Sequence, residues 1–188
     1  MPGDPVPSTG FPVGVRVLPL KMNSDRRGGF TEIFREEWPT GVRPVQWNLV
    51  SSEAGVLRGV HVHLQHDDYL VVAQGRAAIG LRDLREGSPT EGVATAWEAS
   101  GDDLAAIVIP AGVAHGFWFH TRALHVYAVT RAWDPEDELA CRWDDPDLAI
   151  PWPRGSPQLS ERDAAAPPLR DLLRRLKPRQ PIAAGKPG

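Results

Sequence analysis

The chain has 188 residues, enough for one domain with short tails and too few for two, and 41% hydrophobic with 24% charged residues is a globular composition. A formal charge of −3 excludes the basic excess that nucleic-acid binders carry, and no apolar run approaches the roughly 18–20 residues that cross a bilayer. The lone Cys141 excludes internal disulfides and cysteine-built zinc sites, and residues 1–10 lack the basic-then-apolar pattern of a secretion signal, so the expected address is cytoplasmic.

Nineteen prolines and eighteen glycines cut the sequence into segments too short for ordinary helices. In chain order, the patterning predicts strands over Gly14–Leu20, Val42–Val50, Gly55–His63, Tyr69–Gln74, Arg76–Leu84, Thr95–Trp97, Leu104–Ile109, Gly116–His120 and Ala123–Thr130. No amphipathic segments lie between them, which favours a sandwich or barrel over alternating strands and helices. The one helical pattern comes near the end: Leu169, Leu172, Leu173 and Leu176 recur at helical spacing after Pro167 and Pro168. Arg170, Arg174, Arg175, Lys177, Arg179 and Lys186 around it read as a solvated basic face. Residues 1–12 and 178–188 read as flexible tails around a single domain.

The chain has six histidines. His61, His63 and His66 form one group; His115 and His120 form a second, with His125 close behind. On a strand, His61 and His63 project to one face, because side chains alternate with period two. Gly75 closes the first group, and Pro110, Gly112 and His115 form Pro-x-Gly-x-x-His in the second. Together these resemble the two signature motifs of the cupin barrels, which implies an all-β, cupin-type jelly roll with a short C-terminal helix. In a metal-binding cupin the ligands would be His61, His63, Asp67 or Asp68, and His115, a mixture suited to Zn, Fe, Mn or Ni. The plainer alternative makes His63 and His66 solvent-facing or hydrogen-bonded residues of a loop edge.

From Asp25 to Leu173 a further set of motifs runs in order. They are Asp25-Arg26-Arg27-Gly28-Gly29-Phe30-Thr31-Glu32, Gln46-Trp47-Asn48, Leu57-Arg58-Gly59-Val60-His61 and Ile109-Pro110-Ala111-Gly112-Val113-Ala114-His115-Gly116-Phe117. Arg142-Trp143-Asp144-Asp145-Pro146, Ile150-Pro151-Trp152-Pro153 and Leu159-Ser160-Glu161-Arg162-Asp163 follow. This series resembles the dTDP-4-dehydrorhamnose 3,5-epimerase family, a metal-independent branch of the cupins. The resemblance implies a cofactor-free isomerase that inverts carbon centres beside the ketone of a dTDP-linked 4-keto-6-deoxyhexose. It places the base on His61, with Asp163 orienting the imidazole, and the opposing acid on Tyr127. It assigns Arg27, Phe30, Glu32, Gln46, Asn48, Arg58 and His115 to substrate binding. Guanidinium groups fork onto phosphate oxygens, and a ring can stack on thymine. It also implies a homodimer with exchanged N-terminal strands, and neither nucleic acid nor membrane as partner.

The chain departs from that pattern at two places. Counting back from Gly75, the family's enolate-stabilising Lys falls on Asp68, and no Lys occurs between Lys21 and Lys177. Ala132 and Trp133 stand where two tyrosines are typical. Loss of one oxyanion donor costs on the order of 10²–10³ in rate. The sequence therefore leaves several readings open: His63, His66 or a nearby Arg meets the oxygen; only one centre is inverted; the protein binds the sugar nucleotide without turnover; or a metal takes part.

Overall fold

The strands run in chain order as β1 (Arg16–Pro19), β2 (Met22–Asp25), β3 (Gly28–Thr31), β4 (Gln46–Ser52), β5 (Leu57–Val62), β6 (Asp68–Gln74), β7 (Arg76–Asp83), β8 (Ala94–Ser100), β9 (Ala105–Ile109), β10 (Val113–Phe119), β11 (Ala123–Val129) and β12 (Leu139–Ala140). Two short helices follow, α1 (Glu161–Ala164) and α2 (Leu169–Leu176). This computed structural model describes residue 3 and residues 10–176. Ten strands form two five-stranded sheets, ordered β1-β9-β6-β11-β4 and β12-β5-β10-β7-β8, and β2 and β3 make a separate hairpin. All pairings between neighbouring strands are antiparallel, as a jelly roll requires.

The two sheets face each other, and alternation decides what each side chain meets. Leu70 and Val72 of β6 join Ile79, Leu81, Ile107, Ile109 and Phe119 in the inner core. Tyr69 and Val71 point the opposite way, onto Leu18, Trp38 and Val42. The outer face of the second sheet is likewise covered, by Leu139, Cys141, Leu148, Ile150, Leu169 and Leu172 packed on Val60, Val62 and Ala114. Central strands buried on both faces read as continuous apolar runs instead of clean alternation, which is the pattern of β6 and β7.

All nine expected strands and the C-terminal helix form, with shifted ends. β4 begins at Gln46 because Pro44 has no N–H to donate, and Val42 instead packs beneath the chain at Trp38. β10 begins at Val113, so His115 lies on a strand and not in the turn before it. Patterning missed β2, β3, β12 and α1, all short and the first two almost wholly exposed. Arg170, Arg174 and Arg175 are exposed on α2 as expected. Residues 1, 2, 4–9 and 177–188 lie outside the described residues, and with them most of the expected tails and Lys177, Arg179 and Lys186. No described helix is long and apolar enough to cross a membrane.

The C-terminal layer hangs on Leu172, which is 0% exposed. Leu172→Ala is expected to cost about 2–5 kcal/mol, read by urea denaturation, because the barrel behind it cannot collapse into the gap. Burial, and secondarily Asp145, push the Cys141 thiol up to about 12. Native protein should thus resist alkylation, and the Leu172→Ala variant should label faster as this layer opens.

Candidate active site

One end of the barrel is polar inside. Gln46, Asn48, Tyr127 and His125 point in from β4 and β11, and Asp68 from β6; His61 and His115 face them from β5 and β10. They line a cavity of about 280 Å³ with Arg58, His63, His66, Glu138, Arg162 and Asp163. His61 and Tyr127 thus stand on opposite walls.

The setting of His61 begins at Gly59. The register between β5 and β10 pairs His115 with His61 and Gly116 with Gly59, leaving Val60 as an extra residue in a bulge. Gly59 has φ +116°, and a Cβ there would come within 2.8 Å of the Gly116 Cα and 2.9 Å of the His115 carbonyl oxygen, so only glycine fits. The bulge turns His61 toward α1. There Ser160 caps the helix, its Oγ accepting from the Asp163 N–H at 3.1 Å. Asp163, 6% exposed, then accepts from His61 Nε2 at 2.8 Å, and the Gly59 N–H approaches its other oxygen at 3.4 Å. Burial opposes the Asp163 charge, yet the hydrogen bond and charge of His61 hold its carboxyl below the usual range.

A second carboxylate, Glu138, serves the same imidazole. Its Oε1 lies 3.2 Å from His61 Nδ1 and 3.1 Å from Arg162, and its Oε2 accepts from Trp133 Nε1 at 3.0 Å. His61 therefore sits between two carboxylates. Burial raises Glu138, but His63, His61 and Arg162 together bring it below the ordinary glutamate value.

Behind this pair lies a dense cluster of buried groups. Asp68 Oδ2 is 4.0 Å from His63 Nε2 and 3.7 Å from His115 Nε2. Burial drives Asp68 well above the aspartate range, reinforced by the nearby Glu138, Asp67 and Asp137 carboxylates. The same burial holds His63 at about 4 and His115 well below the ordinary imidazole value. Tyr127 is raised, first by burial and then by the charges of Asp68 and Glu138.

The structure separates the expected site residues into two groups. Gln46, Asn48, Arg58, His61, His115, Tyr127 and Asp163 meet at the cavity. Arg27, Phe30 and Glu32 do not: they ride on the β2–β3 hairpin, where Arg27 pairs with Asp25 at 2.6 Å, Phe30 is 65% exposed and Glu32 pairs with Arg35. The four-ligand set also needs correction. Both nitrogens of His61 face carboxylates, and Asp67 accepts the Ala111 N–H at 2.8 Å, so neither joins Asp68. His66, read as a loop-edge residue, is hydrogen-bonded but is only 5% exposed and stacks on His63 at 4.2 Å. Sequence reasoning missed Glu138 altogether. The strand that carries it to His61, through the Ala140–His61 pairing, is only two residues long, and the charged run Glu136-Asp137-Glu138 before it was the only signal.

A sequence model of the dTDP-4-dehydrorhamnose 3,5-epimerase family matches residues 13–171. The dTDP-4-dehydrorhamnose 3,5-epimerase of Sinorhizobium fredii is 34% identical over 173 residues, covering 84% of this chain and 86% of that protein. A crystal structure of the Legionella pneumophila dTDP-6-deoxy-D-glucose-3,5-epimerase with dTDP-4-keto-L-rhamnose superposes with TM-score 0.81 at 36% identity, over 89% of this chain and 94% of that one. A 3'-monoepimerase from Streptomyces bikiniensis with dTDP-quinovose gives TM-score 0.79 at 31% identity, over 87% of each chain. A family match along most of its length, joined to the same barrel in solved relatives, means that the chain belongs to the dTDP-4-dehydrorhamnose 3,5-epimerase family, isomerases built on the cupin-type jelly roll.

Proposed function

We propose that the chain epimerises a dTDP-linked 4-keto-6-deoxyhexose, with His61 as base, Asp163 and Glu138 holding its imidazole, and Tyr127 as the opposing acid. The observation that carries this reading is the placement of a carboxylate-bound imidazole and a phenol on facing walls of one sugar-sized cavity. A proton on carbon beside a ketone is only weakly acidic, so its removal needs a base on one face, and inversion needs a donor on the other. With Nε2–H donated to Asp163, the basic lone pair of His61 is the one on Nδ1, 3.2 Å from Glu138 Oε1, so on this reading the substrate carbon displaces Glu138 from that nitrogen before the proton transfers. A cavity of about 280 Å³ is at the small end for a ligand site, which suits a single sugar ring with the nucleotide outside. Arg58, Gln46 and Asn48 line the same cavity, and their guanidinium and amide groups suit contacts to the diphosphate and base. Asn48 Nδ2 is buried without a hydrogen-bond partner among the described residues, which supports a role in holding a ligand.

The same reading extends to a cytoplasmic homodimer. Val45 and Leu49, 65% and 67% exposed, flank Trp47 on the outer face of edge strand β4. A second copy covering that face would form the dimer, with Arg27, Phe30 and Glu32 of the exposed hairpin assigned to the partner's substrate.

Solvent deuterium should enter the sugar beside the ketone when protein is incubated with the dTDP-4-keto-6-deoxy sugar in D₂O, and counting labelled carbons distinguishes one centre from two. No wash-in alongside intact dTDP binding would favour a sugar-nucleotide-binding protein without turnover. His61→Asn and Tyr127→Phe should each lower kcat by roughly 10²–10⁴-fold while dTDP binding persists. Because Tyr127 is raised above the ordinary tyrosine value of about 10, its alkaline limb in kcat should lie above that pH and vanish in Tyr127→Phe. In sedimentation, the native chain should run as a dimer and Leu49→Glu as a monomer.

A further inference from the structure

We propose that His63, His66 and Asp68, with His115 as a fourth ligand, form a binding site for one divalent first-row transition-metal ion at the inner end of the cavity. The four side chains are 7%, 5%, 6% and 4% exposed. One ligand atom from each of His63, His66 and Asp68 lies within 4.8 Å of the others. The Nε2 atoms of His63 and His115 lie 4.0 and 3.7 Å from the same Asp68 oxygen. Bond lengths of about 2.0–2.2 Å put ligand atoms of a tetrahedral ion roughly 3.4 Å apart, so closing the His63–His66–Asp68 trio needs side-chain shifts of at most about 1 Å, with His115 approaching through Asp68.

The second observation lies in what backs each imidazole. His115 Nδ1 is 3.1 Å from the Val113 carbonyl oxygen. His66 Nδ1 is 3.3 Å from Asp137, whose carboxylate is itself fixed by the N–H groups of Leu64 and Gln65 at 2.9 and 3.0 Å. His63 Nδ1 faces Glu138 at 3.7 Å. A ligating histidine characteristically turns one ring nitrogen to an oxygen acceptor and offers the other to the ion; His115 and His66 have that backing, while His63 Nδ1 is buried with no hydrogen-bond partner among the described residues. Asp68, meanwhile, has no Lys or Arg within ion-pair distance among the described residues. Imidazole with one carboxylate suits Zn²⁺, Co²⁺, Ni²⁺ or Fe²⁺.

His61 is outside this set, its nitrogens held by Asp163 and Glu138. Proton transfer and metal binding, which would compete for one imidazole in the His61-containing set, are assigned here to different residues. A cation beside Asp68 would polarise a substrate carbonyl oxygen where the family places its lysine, a consequence that rests on the epimerase reading; the binding itself does not.

The test uses the full chain, freed of metal by chelator dialysis and titrated with Co²⁺ and then Zn²⁺ by calorimetry and visible absorption. One equivalent of Co²⁺ should bind with ligand-field bands, displaced by Zn²⁺. His66→Ala and Asp68→Asn should abolish the bands, Asp137→Asn should weaken binding on the order of 10–100-fold, and His61→Asn should leave it intact. Circular dichroism and dTDP binding confirm that each variant is folded. Absence of stoichiometric binding, or binding indifferent to both His66→Ala and Asp68→Asn, overturns the site. Deuterium wash-in by metal-free protein would leave the epimerase reading standing whatever the titration shows, so the two can fail separately.

Discussion

The molecule turns on one hydrogen bond, between His61 of the second sheet and Asp163 of the C-terminal segment, partners separated by 102 residues. Each side of it is built by a different device. A bulge that only glycine at position 59 permits re-aims the imidazole, and a serine cap at Ser160 seats the carboxylate. The apolar layer of Leu148, Ile150, Leu169 and Leu172 packs the next helix, α2, on the sheet that carries the histidine.

The rest of the polar end shows what such a site costs. Burying imidazoles and carboxylates together is unfavourable unless they are neutral or paired. Here His63 and His115 are held in their neutral forms, while Glu138 and Asp163 keep their charge through contacts with His61, Arg162 and the backbone. Opposed demands on neighbouring groups are the usual signature of a site shaped for proton handling. The apolar inner core of Leu70, Ile79, Leu81, Ile107 and Phe119 stabilises the barrel beside it.

Asp68 is one of two positions at which the sequence departs from the motif pattern it resembles, which leads one to expect a cationic residue there, and its surroundings change the meaning of that difference. On a solvated strand end, a carboxylate would merely repel a developing enolate. Inside the barrel it lies beside the imidazoles of His63, His66 and His115, with no Lys or Arg in ion-pair distance among the described residues.

The candidacy of Tyr127 and Asp163 came only from the family that the ordered motifs resemble, whereas the strands in chain order and the shared face of His61 and His63 were legible in the residues, because alternation acts over a few positions. The C-terminal helix was legible for the same reason, since its leucines recur within two turns. What lay beyond the sequence needed contacts between distant segments. A two-residue pairing of Ala140 with His61 brings in Glu138; the turn after His63 folds His66 inward onto Asp137; and the hairpin holds Arg27, Phe30 and Glu32 on the surface. Local chemistry nominates side chains, but which of them share a space is decided by register and packing across the whole barrel, and those are properties of the tertiary structure alone.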